Sequence, residues 1–153
     1  MLMVRFLLSA IMAFTFLSCD FGNTEGSDLT DEAAVQWAEA YFNYQFERAT
    51  RYVTPESRKW LRFAATNMSE QDVEVLRKQD GPAEVSLLDC MQTDDSTWTA
   101  TIEVSRFMER DSLNTPGHMV TGDAEFEVQI VERNKRMFVK MEGLPRSGMR
   151  NRD

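Results

Sequence analysis

Five side chains in this sequence are of the types, and at the spacings, that could bind or transform a small molecule: Trp37, Tyr41, Asp89, Trp98 and Arg106. Asp89 falls between Leu87 and Met91, which share one side of a predicted strand, and the pairing worked out below sets it opposite the small Ala100. A carboxylate held there away from water would have a raised pKa and would be poised as an acid or a base, with Arg106 continuing the same inward row beyond Val104. Trp37, Tyr41 and Trp98 would line such a pocket. The plainer reading is preferred: Asp89 solvated near a strand end, Arg106 reaching water past the rim, and the three rings as ordinary core.

Other chemistry has thinner support. The single histidine, His118, lies in Thr115-Pro116-Gly117-His118, a turn sequence that reads as a solvated loop and not as the seat of a catalytic base. One His and two Cys are too few for a transition-metal cage, and the sequence has no calcium loop, no G-x-S-x-G and no glycine-rich phosphate loop. No metal and no cofactor is therefore expected. Cys90 sits inside a strand pattern and reads as a small, half-buried hydrophobe. A formal net charge of −8, without a basic stripe interleaved with aromatics, argues against nucleic acid as a partner.

The remaining cysteine, Cys19, stands where an oily run stops and a small-polar run begins. Residues 6–17 are apolar apart from Ser9 and Thr15 and follow a short start whose charge comes from Arg5 and the amino terminus. That is signal-peptide length, well short of the ~20 residues a spanning helix needs. Phe16-Leu17-Ser18-Cys19 resembles the lipobox of bacterial lipoproteins, in which a peptidase cuts before a cysteine already carrying diacylglycerol. The resemblance implies that Cys19 is acylated and holds the protein to a membrane of the bacterial cell envelope, on its periplasmic or outer-membrane side. An ordinary secretory signal with an incidental Cys19 is the alternative. Once Cys19 is acylated, Cys90 has no partner for an internal disulfide.

These residues must be positioned by one domain, since 153 residues suffice for a single core. The expected division is a signal peptide over residues 1–18, a flexible Gly- and Ser-containing tether over 19–29, a folded domain over 30–145 and a basic, unpacked tail over 146–153. Thr30 offers a helix cap, and Val35, Ala38, Phe42, Phe46 and Ala49 make one continuous apolar stripe, widened by Trp37, Tyr41 and Tyr44. Thr54-Pro55-Glu56-Ser57 and Ser69-Glu70-Gln71-Asp72 mark two further helix starts, and Gly81-Pro82 ends the last helix. From Ala83 the period changes to two, and four antiparallel strands follow. Their turns are expected at 93–96 and at Asn134-Lys135, with one long connection over 109–118. The phases predict Val85 opposite Val104, Leu87 opposite Ile102, Met91 opposite Trp98, Ile102 beside Ala124 and Ile130 opposite Val139.

Helices followed by a four-stranded meander describe an α+β roll. Phe46-Glu47-Arg48-Ala49 with Tyr52-Val53-Thr54-Pro55-Glu56-Ser57 resembles the helix-to-helix segment of small bacterial lipoproteins of unknown function with a nuclear-transport-factor-2-like, or cystatin-like, fold. The resemblance, over most of residues 30–141, implies N-terminal helices packed in a curved four-stranded antiparallel sheet, a cone that frequently holds a cavity. The functional expectation is a lipid-anchored envelope module that binds an unknown small ligand or an envelope protein. The alternatives are an isomerase- or dehydratase-type enzyme using Asp89, and a structural partner in an envelope complex, as a homodimer formed through an outer sheet face rich in Leu88, Cys90, Val131 and Phe138.

Overall fold

The structure, a computed structural model, describes residues 24–148; residues 1–23, with the expected signal segment and Cys19, and residues 149–153 lie outside the described residues. The first helix, α1, runs Thr24–Phe42. The expected tether is therefore helical from residue 24, and Thr30 is a fully buried interior residue instead of a cap.

The expected stripe from Val35 to Ala49 is cut at Tyr44. Gln45 N–H donates to Ala40 O at 2.8 Å and Tyr44 N–H to Tyr41 O at 3.0 Å, which is the Schellman closure of a helix end. Its left-handed position, usually glycine, is Tyr44 at φ 60°. The chain resumes as the single turn α2, Phe46–Ala49. Asn43 then reaches across to the start of the sheet: its side chain accepts from Ala83 N–H at 2.8 Å and donates to Ala83 O at 3.3 Å.

Thr54-Pro55-Glu56-Ser57 does start a helix, a 3-10 turn Pro55–Ser57 leading into α3, Arg58–Thr66. Thr54 does not cap it; its hydroxyl pairs with Ser57 Oγ at 2.7 Å, and Ser57 Oγ accepts Met141 N–H at 2.8 Å. Val139 N–H donates to Tyr52 O at 2.7 Å and Thr54 N–H to Val139 O at 3.0 Å. The motif is a clasp on the last strand as much as a helix start. The Ser69–Asp72 capping box is present and opens α4, Glu70–Arg77, which ends ahead of Gly81-Pro82.

The sheet comprises β1 Glu84–Asp94, β2 Thr97–Ser105, β5 Ala124–Arg133 and β6 Arg136–Lys140, in the order β1-β2-β5-β6, all antiparallel. Flanking the expected long connection over 109–118, β3 Phe107–Glu109 and β4 His118–Val120 pair as a separate hairpin. Arg106, at φ 55°, makes the bend between β2 and β3. Ile130 faces Val139 as predicted, and the Asn134-Lys135 turn has both residues at positive φ, the mirror-image turn a two-residue hairpin prefers. Ile102 pairs with Phe126 and not with Ala124, a slip of two residues that leaves every side chain on its expected face.

The β1–β2 register starts as predicted, Val85 with Val104 and Leu87 with Ile102, then shifts at a bulge between Leu87 and Asp89. Past it Asp89 pairs with Thr101, Cys90 with Ala100 and Met91 with Thr99. Ala100 and Ile102 are fully buried, so Cys90 faces the core, while Asp89 and Met91 point outward and are exposed. A bulge on an edge strand costs less than desolvating a carboxylate.

Across this sheet lies α1, touching all four strands. Ala34 and Ala40, about 120° apart round the helix, are both fully buried, so the helix is enclosed on more than one side. Trp37, Phe42, Ile102, Val104, Phe126, Ile130, Val53 and Leu61 complete the core. Burying each such large side chain contributes about 1.5–3 kcal/mol. Residues 146–148, expected to be unpacked, dock on the domain: Gly148 N–H donates to Glu125 O at 2.9 Å and Ser147 Oγ to Glu109 Oε1 at 3.1 Å.

Ser57→Ala is expected to lower the unfolding free energy by about 1–3 kcal/mol, because it strands the buried Thr54 hydroxyl and Met141 N–H. Urea denaturation reads this, and an unchanged midpoint would show that the clasp does not hold.

Candidate functional site

The five residues proposed for a pocket do not converge. Trp37 and Tyr41 do meet, stacked with ring centroids 5.2 Å apart, as residues one helical turn apart on α1. Trp98 is half-buried against the core and pairs with Gln92 and Ile130. Asp89 lies on the opposite face of the sheet, out of reach of the interior. Arg106, turned by its left-handed backbone, forms an ion pair with Glu84, its guanidinium near Gly81, while its carbonyl accepts from Gln79 Nε2 at 2.8 Å. His118 is exposed at the start of β4.

The interior between the sheet and the helices holds rings. Phe42 packs on Tyr41 at 5.2 Å, on Phe107 at 5.7 Å and on Phe126 at 4.6 Å, and Tyr41 and Tyr44 both meet Phe46. Trp37 Nε1 is buried and has no hydrogen-bond partner, an exception for an indole N–H. A shallow groove of about 690 Å³ follows α4, lined by Glu70, Val73, Glu74, Arg77 and neighbours on that helix; none of the five residues is in it.

A polar cluster built on the Ser69–Asp72 capping box closes the end of the cone. Asp72, fully buried at the start of α4, accepts from Ser69 N–H at 2.7 Å, from Ser69 Oγ at 2.7 Å and from Gly117 N–H at 2.8 Å, and forms an ion pair with Arg110. Arg110 also donates to Asn67 O at 2.6 Å. Burial pushes the Asp72 carboxyl up, but the Ser69 bonds, the Gly117 N–H and the Arg110 charge together hold it below the usual range. Gly117 is needed for space: a Cβ there would stand 2.4 Å from Met108 Sδ. Tyr44 adds a third element, its hydroxyl donating to Met108 O at 3.0 Å. Burial pushes the Tyr41 and Tyr44 hydroxyls well above their ordinary value, with the Arg110 charge opposing it. The capping box was legible in Ser69 and Asp72; the partners, 38 and 45 residues on, had no local signal.

At the other end of α1, Asp31 lies beside Cys90. Burial first, then the Asp31 and Asp89 carboxylates, push the Cys90 thiol up to about 11, so it is a protonated, half-buried hydrophobe at neutral pH. The expected outer patch is not contiguous. Cys90 faces inward, Val131 and Phe138 pair on β5 and β6 with Arg136 over the Phe138 ring, and Leu88 stands on the far edge beyond β2. Among the described residues no group of three or more His, Cys, Asp or Glu is placed to hold a metal, and no helix is long and apolar enough to cross a membrane.

No family model and no curated protein sequence matches the chain. Solved structures do match. An NTF-2 like protein of unknown function from Shewanella oneidensis MR-1 aligns with a TM-score of 0.51 at 10% identity, over 80% of this chain and 98% of that one. An NTF2-like protein involved in plasmid conjugation gives 0.47 at 14% identity over 80% of this chain, which spans 48% of the length of that protein. A periplasmic fragment of TraM gives 0.38 at 14% identity, over 81% of this chain and 96% of that one. With its helices packed on a four-stranded antiparallel sheet, and the likeness to the Shewanella protein, the chain has the nuclear-transport-factor-2-like fold.

Asp72→Ala should destabilise the protein by about 3–5 kcal/mol, since it leaves Arg110 uncompensated. The contribution of the ionised carboxylate is complete above the unfolded carboxyl pKa of ~3.9. It disappears as pH falls through the depressed folded value, so the gap between the natural protein and Asp72→Asn should be widest near neutrality and close below about pH 4. A pH-independent gap in urea titrations would show that Asp72 is not held ionised. In a Cys19→Ser chain, Cys90 should react with iodoacetamide at pH 8 about a hundredfold slower than free cysteine. A rate equal to that of the free amino acid would contradict its place on the inner face.

Proposed function

We propose that this protein is an envelope domain tethered through acyl chains on Cys19, on the periplasmic or outer-membrane side, that binds a partner and carries out no chemistry of its own. The observation that carries the reading is the commitment of the fully buried carboxylate to structural bonds. Among the described residues Asp72 is the only fully buried carboxylate, and it is engaged by Ser69, Gly117 and Arg110 in bonds that hold elements together. The Tyr44 hydroxyl is likewise engaged with Met108 O. The enzyme alternative loses its acid, because Asp89 is outside the cone.

The lipobox resemblance supports the anchor, and the signal segment fits delivery to the envelope. A small ligand within the cone has one observation in its favour, the buried Trp37 Nε1 with no acceptor beside the part-buried Tyr41. An acceptor atom of a bound molecule would satisfy it.

Intact mass of the protein extracted from membranes in mild detergent tests the anchor. The expected species begins at Cys19 and carries acyl chains, and Cys19→Ser abolishes both the added mass and membrane retention. A lipid-free mature chain in the soluble fraction would remove the anchor. A small molecule retained in the native spectrum, and lost in Trp37→Phe, would assign binding to the cone; a bare spectrum assigns it to the surface.

A further inference from the structure

We propose that the free edge of β1 receives an extended, basic segment of a partner protein as an added strand; this rests on the reading of the chain as a binding module and names the surface and the kind of partner. The two edges of the sheet are treated differently. β6 is closed by the Tyr52–Thr54 backbone, with Val53 bridging Val139 in parallel. β1, eleven residues long, has β2 on one side and no backbone partner on the other among the described residues.

Long edges left open are templates for another chain. This one also shows apolar side chains to solvent, Leu88 at 49% and Met91 at 60% exposure. Neither is needed by the core, and both stand where an added strand would cover them.

Charge selects the occupant. The strand reads EVSLLDCMQTD, with no basic residue; Glu84 is taken by Arg106, which leaves Asp89, Asp94 and, in the turn, Asp95 to meet a partner. A second copy would bring the same acids against these, and like charges on neighbouring strands repel. The bulges after Leu87 and after Gln92 break the edge into two short straight runs, which further opposes pairing of identical edges. A strand carrying Lys or Arg alternating with apolar residues escapes the charge repulsion, and a short one fits a single straight run between the bulges. On the outer face its basic residues meet Asp89 and lie across Met91, and its apolar residues, on the other face, extend the inner row of Val85, Leu87 and Cys90, each only part-buried at this edge.

The test uses the detergent-extracted full chain and three labelled peptides of equal length: alternating Lys and Val, alternating Glu and Val, and alternating Lys and Pro. Fluorescence anisotropy should show the Lys–Val peptide binding about tenfold or more tightly than either control, since Pro keeps the charge but cannot complete a ladder. Hydrogen exchange should slow in residues 84–94 on binding, and Asp89→Lys and Met91→Lys, both at exposed positions, should each weaken it severalfold. Equal binding of the Lys–Pro peptide reduces the effect to charge and overturns the proposal, as does dimerisation of the free protein with protection of the same strand. Protection elsewhere in the domain overturns the edge assignment and leaves the binding-module reading standing. Turnover of a small molecule would instead overturn that reading.

Discussion

A carboxylate removed from water must have its charge and its lone pairs met by the protein, and Asp72 meets that demand with donors from three separate stretches of chain. Ser69 fixes the start of α4, Arg110 ties it to the loop after β3, and Gly117 N–H ties it to the entry of β4. Because the β3–β4 hairpin is anchored in this way, Met108 can fill the space over Gly117 and offer its carbonyl to Tyr44. Tyr44 in turn occupies a backbone conformation that costs a side-chain-bearing residue roughly 1–2 kcal/mol. The hydroxyl bond and the ring contact with Phe46 offset that cost in a way glycine could not. One buried charge thus joins α4 to the β3–β4 hairpin, on which the end of α1 then leans through Tyr44.

Much of this architecture was legible because it is written in local patterns. The period-two phases placed β1, β2, β5 and β6, Asn134-Lys135 named its own turn, and Ser69 with Asp72 announced α4. Illegible features have physical reasons. A slip of two residues between β2 and β5 changes no side chain's face, so the hydrophobic pattern cannot distinguish it. The bulge at Leu88 reverses the face of Asp89, Cys90 and Met91, and its cause is the comparative cost of burying a carboxylate or a thiol, which alternation alone does not weigh. Residues 24–29 look like a linker by composition yet extend α1. The helix end at Tyr44 was hidden because the signal there is normally glycine.

The candidate site illustrates the same limit. Trp37 and Tyr41 were found because they are four apart on one helix, and their stacking needs nothing but that spacing. Asp89 and Arg106 were placed by extrapolating a strand past a bulge and a bend, and each irregularity carried its side chain elsewhere. The Asp72–Arg110 pair was not found, since contacts across 38 residues leave no periodic trace. Aromatic content is a guide to where the core lies and a poor guide to whether it is hollow.

The domain is entered and left at opposite ends. Asp31 lies beside Cys90 while Asn43 grips Ala83, so α1 runs antiparallel to β1 and Thr24 belongs to the end carrying the two tight turns; Gly148 meets Glu125, near the other end. Tension applied between those two points would run along the strands. Inter-strand bonds stand perpendicular to that direction, so they would share a load together instead of parting one after another. A pull transmitted through this molecule would meet its stiffest axis.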